Sequence, residues 1–254
     1  MHDVAAAGFG GAAETYERAR PSYPPELVSW LAEQVEPTID KRCCDLAAGT
    51  GKLTRLLAPL GMELVAIEPI AAMRAVLERV VPGTPVLAGV AEAIPLADAS
   101  LDAVTVAQAF HWFDHDQAIA ELRRVLRVGG RLALVWNARD RSRAWVDAIW
   151  SIMDRVEKHA PWRDHERWRD TAFVDRPGFT PLQVAEFRHE QSMTSAEVVA
   201  RVASVSHVAV LADDERTAVL DEVREVLATH PDTAGRDEHA MPYRVDAMFC
   251  ERVA

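Results

Sequence analysis

Cysteine, lysine and long apolar runs are scarce in this 254-residue chain. Two of its three cysteines, Cys43 and Cys44, are adjacent. Neighbouring residues on a strand point to opposite faces, so the pair offers no disulfide framework, and buried thiols in a reducing compartment are expected. Lysine stands only at 41, 52 and 158 while arginine is abundant, a codon habit of GC-rich bacterial genomes. No run approaches the length of a membrane span. Residues 1–13 are apolar and glycine-rich, but they carry Asp3 and no basic stretch. That is a poor signal peptide, so a cytoplasmic, non-membrane protein is expected. Basic clusters are absent too. A net charge of -11 would repel a phosphate backbone, which argues against nucleic acid as a partner.

What is present is a chain long enough for one large domain, with 49% hydrophobic and 26% charged residues, ordinary for a globular protein. Residues 20–25, Arg-Pro-Ser-Tyr-Pro-Pro, form a stiff extended segment because proline fixes φ and biases its predecessor away from helix. Apolar spacing then predicts helices over 25–33, 53–60, 70–80 and 116–126, alternating with strands over 42–46, 63–68, 85–88, 101–107 and 131–136. Such alternation implies a doubly wound, mostly parallel α/β sheet buried on both faces. Further helices are expected over 142–159, 195–211 and 214–229, with strands over 182–190 and 248–253. One domain over 1–254 follows, with a lid segment at 1–24 and a helical cap built from 141–170 and 195–230, inserted before the last strand.

The most informative stretch is residues 43–52, Cys-Cys-Asp-Leu-Ala-Ala-Gly-Thr-Gly-Lys. It reads as strand end, acid, small-residue turn and helix start, the arrangement that places a nucleotide-like ligand at the C-terminal edge of a parallel sheet. Ala47 lies in this turn, and its methyl group is expected to exclude positive φ without blocking the site. Strand two ends in Glu68, 23 residues after Asp45, near the roughly 20-residue offset at which an acid meets a ribose diol in mononucleotide folds. Strand three leads to Ala91-Glu92 before Pro95, and strand four to Gln108-Ala109-Phe110-His111-Trp112. His111 and His115 are four apart, but an apparent strand-to-helix junction lies between them and no further ligand set appears, so no metal is expected.

Together with Glu68-Pro69, Met73 and Leu126-Arg127-Val128-Gly129-Gly130-Arg131, these segments resemble class I S-adenosylmethionine-dependent methyltransferases. Tyr16 to Pro24 and the late helices are similar to the small-molecule branch that includes trans-aconitate methyltransferases. The resemblance implies a seven-stranded Rossmann-like sheet with S-adenosylmethionine as cofactor. It implies that Gly49 and Gly51 frame the methionine end, that Asp45 organises the turn, and that Glu68 clamps the ribose. It further implies Pro69, Met73, Ala91 and Glu92 near the adenine, and Gln108, Ala109, Phe110 and His111 near the sulfonium, with Ala47 in the turn. Tyr16, Arg20 and Tyr23 would fold over the cofactor, Arg20 meeting its carboxylate. His111 is a candidate base or a packing ring. Trp112, Trp145, Tyr243 and Arg244 are candidates for the acceptor pocket, or else helix core and surface turn.

The expected activity is methyl transfer to a small organic molecule, at a carboxylate or hydroxyl oxygen, by a monomer or homodimer. Nitrogen or carbon methylation in natural-product metabolism, and cofactor binding without catalysis, stay open. A nicotinamide-dependent oxidoreductase is disfavoured because the turn lacks Gly-x-Gly-x-x-Gly spacing.

Overall fold

The computed structural model describes residues 17, 20–157 and 178–254. Helix α1 (Pro25–Val35) starts on proline, whose fixed φ suits a first turn, and buries Leu27, Leu31 and Val35. Strand β1 (Arg42–Leu46) leads through the small-residue turn to α2 (Thr54–Leu57), which tightens into a 3-10 turn at Ala58–Leu60. The helix expected over 53–60 is thus a single α turn, since Pro59 falls within it. Strand β2 (Glu63–Ile67), helix α3 (Ala71–Val80), the two-residue β3 (Val86–Leu87) and β4 (Leu101–Ala107) follow. A 3-10 turn at Phe110–Trp112 precedes α4 (His115–Val125), capped by the Asp114 side chain accepting from Gln117 N.

Beyond α4 the strands are longer than their sequence suggests. Strand β5 (Leu126–Arg139) begins where α4 ends, not at 131, so Gly129-Gly130 lies inside it. Gly129 takes φ 79°, and a Cβ on Gly130 would sit 2.7 Å from the Arg127 carbonyl. The pair makes an irregularity in the ladder that only glycine fits. Helix α5 (Ala144–Glu157) follows, then β6 (Gln183–Thr194). The helix expected over 195–211 is broken at Ser204 into α6 (Ser195–Ala203) and α7 (Ser206–Ala209). Helix α8 (Asp213–Thr229) and β7 (Glu238–Glu251) complete the chain.

The sheet order is β3-β2-β1-β4-β5-β7-β6, with β7 antiparallel to both neighbours and the first five strands parallel. The order reverses between β1 and β4, which opens a crevice at their carboxyl ends. Cys43 packs with Leu27, Leu57 and Val245 on one face of the sheet, and Cys44 packs with Ile67, Leu122 and Leu132 on the other. All three cysteines are free and buried. Burial raises each thiol well above its ordinary value, Cys250 to about 12. A separate apolar cluster joins α5, α6, α7 and α8 to Met193 of β6 and to Met241 and Tyr243 of β7. No described helix is long and apolar enough to cross a membrane.

Candidate active site

A cleft enclosing about 540 Å³, open to solvent, sits over the carboxyl ends of β1 and β4. Its floor is the turn Ala47-Ala48-Gly49-Thr50 together with Ala107 and Gln108. Arg20, Pro21 and Tyr23 line it from the N-terminal segment, Asn137 from the end of β5, and Arg201 from α6.

Three floor residues hold left-handed backbone: Ala47 at φ 56°, Gly49 at 59° and Gln108 at 59°. The expectation that alanine would exclude positive φ at 47 is therefore corrected. The conformation costs a non-glycine residue roughly 1–2 kcal/mol, and the surrounding hydrogen bonds enforce it. Ala48 N donates to Ile67 O (3.1 Å) and Gln108 N to Val135 O (2.9 Å). Such strain collects where a backbone is shaped for a ligand.

Two buried carboxylates hold the floor from beneath. Asp45 accepts from Thr54 Oγ1 (2.6 Å) and Thr105 Oγ1 (2.9 Å), tying β1 to α2 and β4. Burial pushes its carboxyl up to about 6 against the pull of those two hydroxyls. Glu68 accepts from Gly49 N and Ile70 N, each at 2.9 Å, and so braces the glycine turn against the end of β2. Burial raises its carboxyl as well, opposed by the Ile70 and Gly49 amides and by Arg74. Arg74 Nη1 in turn donates to the carbonyls of Glu68 (2.8 Å) and Pro69 (2.7 Å).

The remaining expected site residues divide between support and distance. Tyr16 lies outside the described residues. Arg20 lines the cleft, its Nη2 donating to Ser204 O at 2.8 Å across to the α6–α7 break. Gly51 packs closely on α3, where a Cβ would meet Leu77 Cγ at 3.0 Å. Met73 is buried below Gly49, and its sulfur would lie 3.9 Å from a Cβ there. Ala91, Ala109 and Phe110 belong to the core. Phe110 stacks on the His115 ring at 5.1 Å. Glu92 Oε1 accepts from Asp114 N at 3.0 Å, which pins the loop after β4. His111 tilts between Trp112 (4.7 Å) and Trp136 (6.1 Å).

Three acceptor candidates are not brought to the cleft. Trp145 is in the helical core beside His239. Tyr243 is buried, stacked on His189 at 5.3 Å. The Arg244 fork is occupied by Asp246, at 2.7 and 3.0 Å. Both Tyr243 and Arg244 lie within β7, not in a turn before it. Sequence reasoning passed over Lys52, Asn137 and Arg201 in the lining. For Arg201 there was one signal: a charge on the Val198–Val202 face of an apolar helix.

These residues fit an adenosyl cofactor. Gly49 lines the cleft and, without a side chain, leaves its backbone there bare. The Glu68 carboxylate uses two amides, leaving about two of its roughly four acceptor positions for hydroxyls.

Residues 44–134 match a family described as "Methyltransferase domain". Along nearly the whole chain, an uncharacterized methyltransferase of Mycobacterium tuberculosis is 44% identical over 235 residues, covering 92% of this chain and 91% of the relative. An uncharacterized methyltransferase-like protein of Schizosaccharomyces pombe is 33% identical over 238 residues, covering 93% and 92%. Among solved structures, one assigned to the type II methyltransferases of Anaeromyxobacter dehalogenans superposes with TM-score 0.69 at 26% identity, covering 92% of this chain and 97% of the other.

Proposed function

Because the chain belongs to the class I methyltransferases, with S-adenosylmethionine as cofactor, we propose that it methylates a small organic molecule at a carboxylate or hydroxyl oxygen. The observation that carries this reading is the strained floor of Ala47, Gly49 and Gln108 braced by Glu68 beneath one cleft. When bound, the cofactor supplies an already activated methyl group on its sulfonium. The protein then has to align an acceptor and exclude water, which needs positioning more than a catalytic group.

In this reading Glu68 accepts from the ribose hydroxyls, Gly49 lets the methionine end approach the backbone, and Arg20 takes the cofactor carboxylate. Met73, Ala91 and Glu92 back the adenine side. Gln108 shapes the methyl-transfer end, with Phe110 as its support in the core. His111 positions the acceptor, or removes its proton where the acceptor is a hydroxyl; a carboxylate has none to lose. A cytoplasmic site of action among small metabolites agrees with the net charge of -11.

Calorimetry tests the reading. S-adenosylmethionine and S-adenosylhomocysteine are expected to bind and nicotinamide dinucleotides not to. Glu68→Ala is expected to weaken cofactor binding by about 1.5–3 kcal/mol, the range for hydrogen bonds to a charged group. An unchanged dissociation constant would take Glu68 away from the ribose. A methyl-transfer screen over acids, phenols and amines then identifies the acceptor atom.

A further inference from the structure

Helix α6 buries the face formed by Val198, Arg201 and Val202. The Arg201 side chain is thus placed where a core residue belongs, and it is 7% exposed. Its guanidinium carbon lies 5.8 Å from the centre of the Trp150 ring, and Arg139 approaches the same ring at 4.6 Å. Arg139 pairs with Asp154 at 3.2 Å. For Arg201 the outcome differs. Its Nε and Nη1 are sealed from solvent and meet no acceptor among the described residues. A buried donor without a partner is destabilising, more so when charged. The fold does not offset that cost from within.

Arg201 lines the cleft, and the company it keeps there is one-sided. Arg20, Lys52 and Arg201 are all cations, and no acid stands among the described lining residues, in a chain with 39 acids against 28 basic residues. Two of the three cations have partners. Lys52 lies 3.8 Å from Glu17, and Arg20 donates to Ser204 O. The cofactor brings one carboxylate, but also an ammonium and a sulfonium, so it adds positive charge overall. With Lys52 beside Glu17 and the cofactor carboxylate assigned to Arg20, Arg201 is the lining cation to which no carboxylate has been given.

We propose that Arg201 is the acceptor anchor: its guanidinium fork takes a carboxylate, which makes the methyl acceptor a small organic acid. This rests on the methyl-transfer reading above. The planar fork matches a carboxylate with two parallel hydrogen bonds, a geometry lysine cannot supply. Packing over Trp150 holds the fork in place before the ligand arrives. The anchor is sited on the helical layer rather than the sheet.

The test is calorimetry on the full chain, with and without saturating S-adenosylhomocysteine. The probes are malonate, succinate and benzoate, with malonamide, succinamide and benzamide as neutral counterparts. At least one acid is expected to bind the S-adenosylhomocysteine complex while its amide does not. Arg201→Met is expected to weaken that acid by about 10- to 100-fold, and to leave S-adenosylhomocysteine affinity within about threefold, as loss of a charged hydrogen-bond pair to the acceptor alone requires. Arg201→Lys should keep part of the binding, and Arg201→Gln carries the same comparison if the methionine variant does not fold. Equal acid binding by wild type and Arg201→Met overturns the proposal, as does failure of every acid to bind. A parallel loss of S-adenosylhomocysteine affinity assigns Arg201 to the cofactor and also overturns it. Acid binding through Arg201 in a protein that ignores S-adenosylhomocysteine would leave the anion site standing and remove the methyl-transfer reading instead.

Discussion

Asp45 shows how one residue links the turn to the stability of the chain. Burial lifts its carboxyl from 3.8 to about 6, so the folded protein keeps a proton that the unfolded chain has already released. Its contribution to stability is complete below about pH 4 and declines as pH rises to about 6, by about 3 kcal/mol at most, at 1.36 kcal/mol per unit. Asp45→Asn cannot titrate. Urea unfolding should therefore find the variant gaining on the wild type between pH 4 and pH 7, and a difference independent of pH would mean that the folded carboxyl stays ionised throughout. At this scale the turn itself was legible from its acid and its two glycines, both of which take positive φ, because only a few residue types tolerate such a turn. Ala47 was misread. Its positive φ is held by the neighbouring amides, Ala48 N donating to Ile67 O of β2 and Gly49 N to Glu68, long-range forces that no local preference displays. Arg201 was missed for the opposite reason: a lone charge on a helix is ordinarily solvated, and this one is buried beside Trp150 of α5.

Among the elements, α6 carries the proposed anchor, Arg201. It begins with a reciprocal cap in which Thr194 accepts from Glu197 N (3.3 Å) while Glu197 Oε2 accepts from Thr194 N (2.7 Å). Thr194→Ala should cost about 1 kcal/mol in urea unfolding, the usual worth of such a cap. No change would mean that the β6–α6 junction is held by its neighbours instead. The parallel strands were legible as short apolar runs between helical patterns. Of the antiparallel pair, β6 was legible, but β7 only at its apolar end. Strand β7 carries Pro242, Arg244 and Asp246, which read as turn chemistry. Its pairing with β6 runs from Gln183↔Phe249 to Thr194↔Glu238 and extends it well past its apolar end. The break at Ser204 was likewise invisible, although it frees the carbonyl that receives Arg20.

For the whole molecule, the cleft joins parts that are far apart in sequence: the glycine turn, the tip of β4, the end of β5 and α6. A ligand that bridges them stabilises the folded state by mass action. S-adenosylhomocysteine at about 100 times its dissociation constant contributes about 2.7 kcal/mol, so scanning calorimetry should show Tm rising by about 5–10 °C for a chain of this size. An unmoved Tm would mean that the cleft does not take the cofactor. The three sealed thiols add a property with no bearing on methyl transfer. Cys43 and Cys44 face opposite sides of the central sheet, and Cys250 sits on β7. A sulfhydryl reagent therefore has no target until the interior parts. The rate at which each cysteine is labelled becomes a clock for how often, and on which side, the molecule breathes.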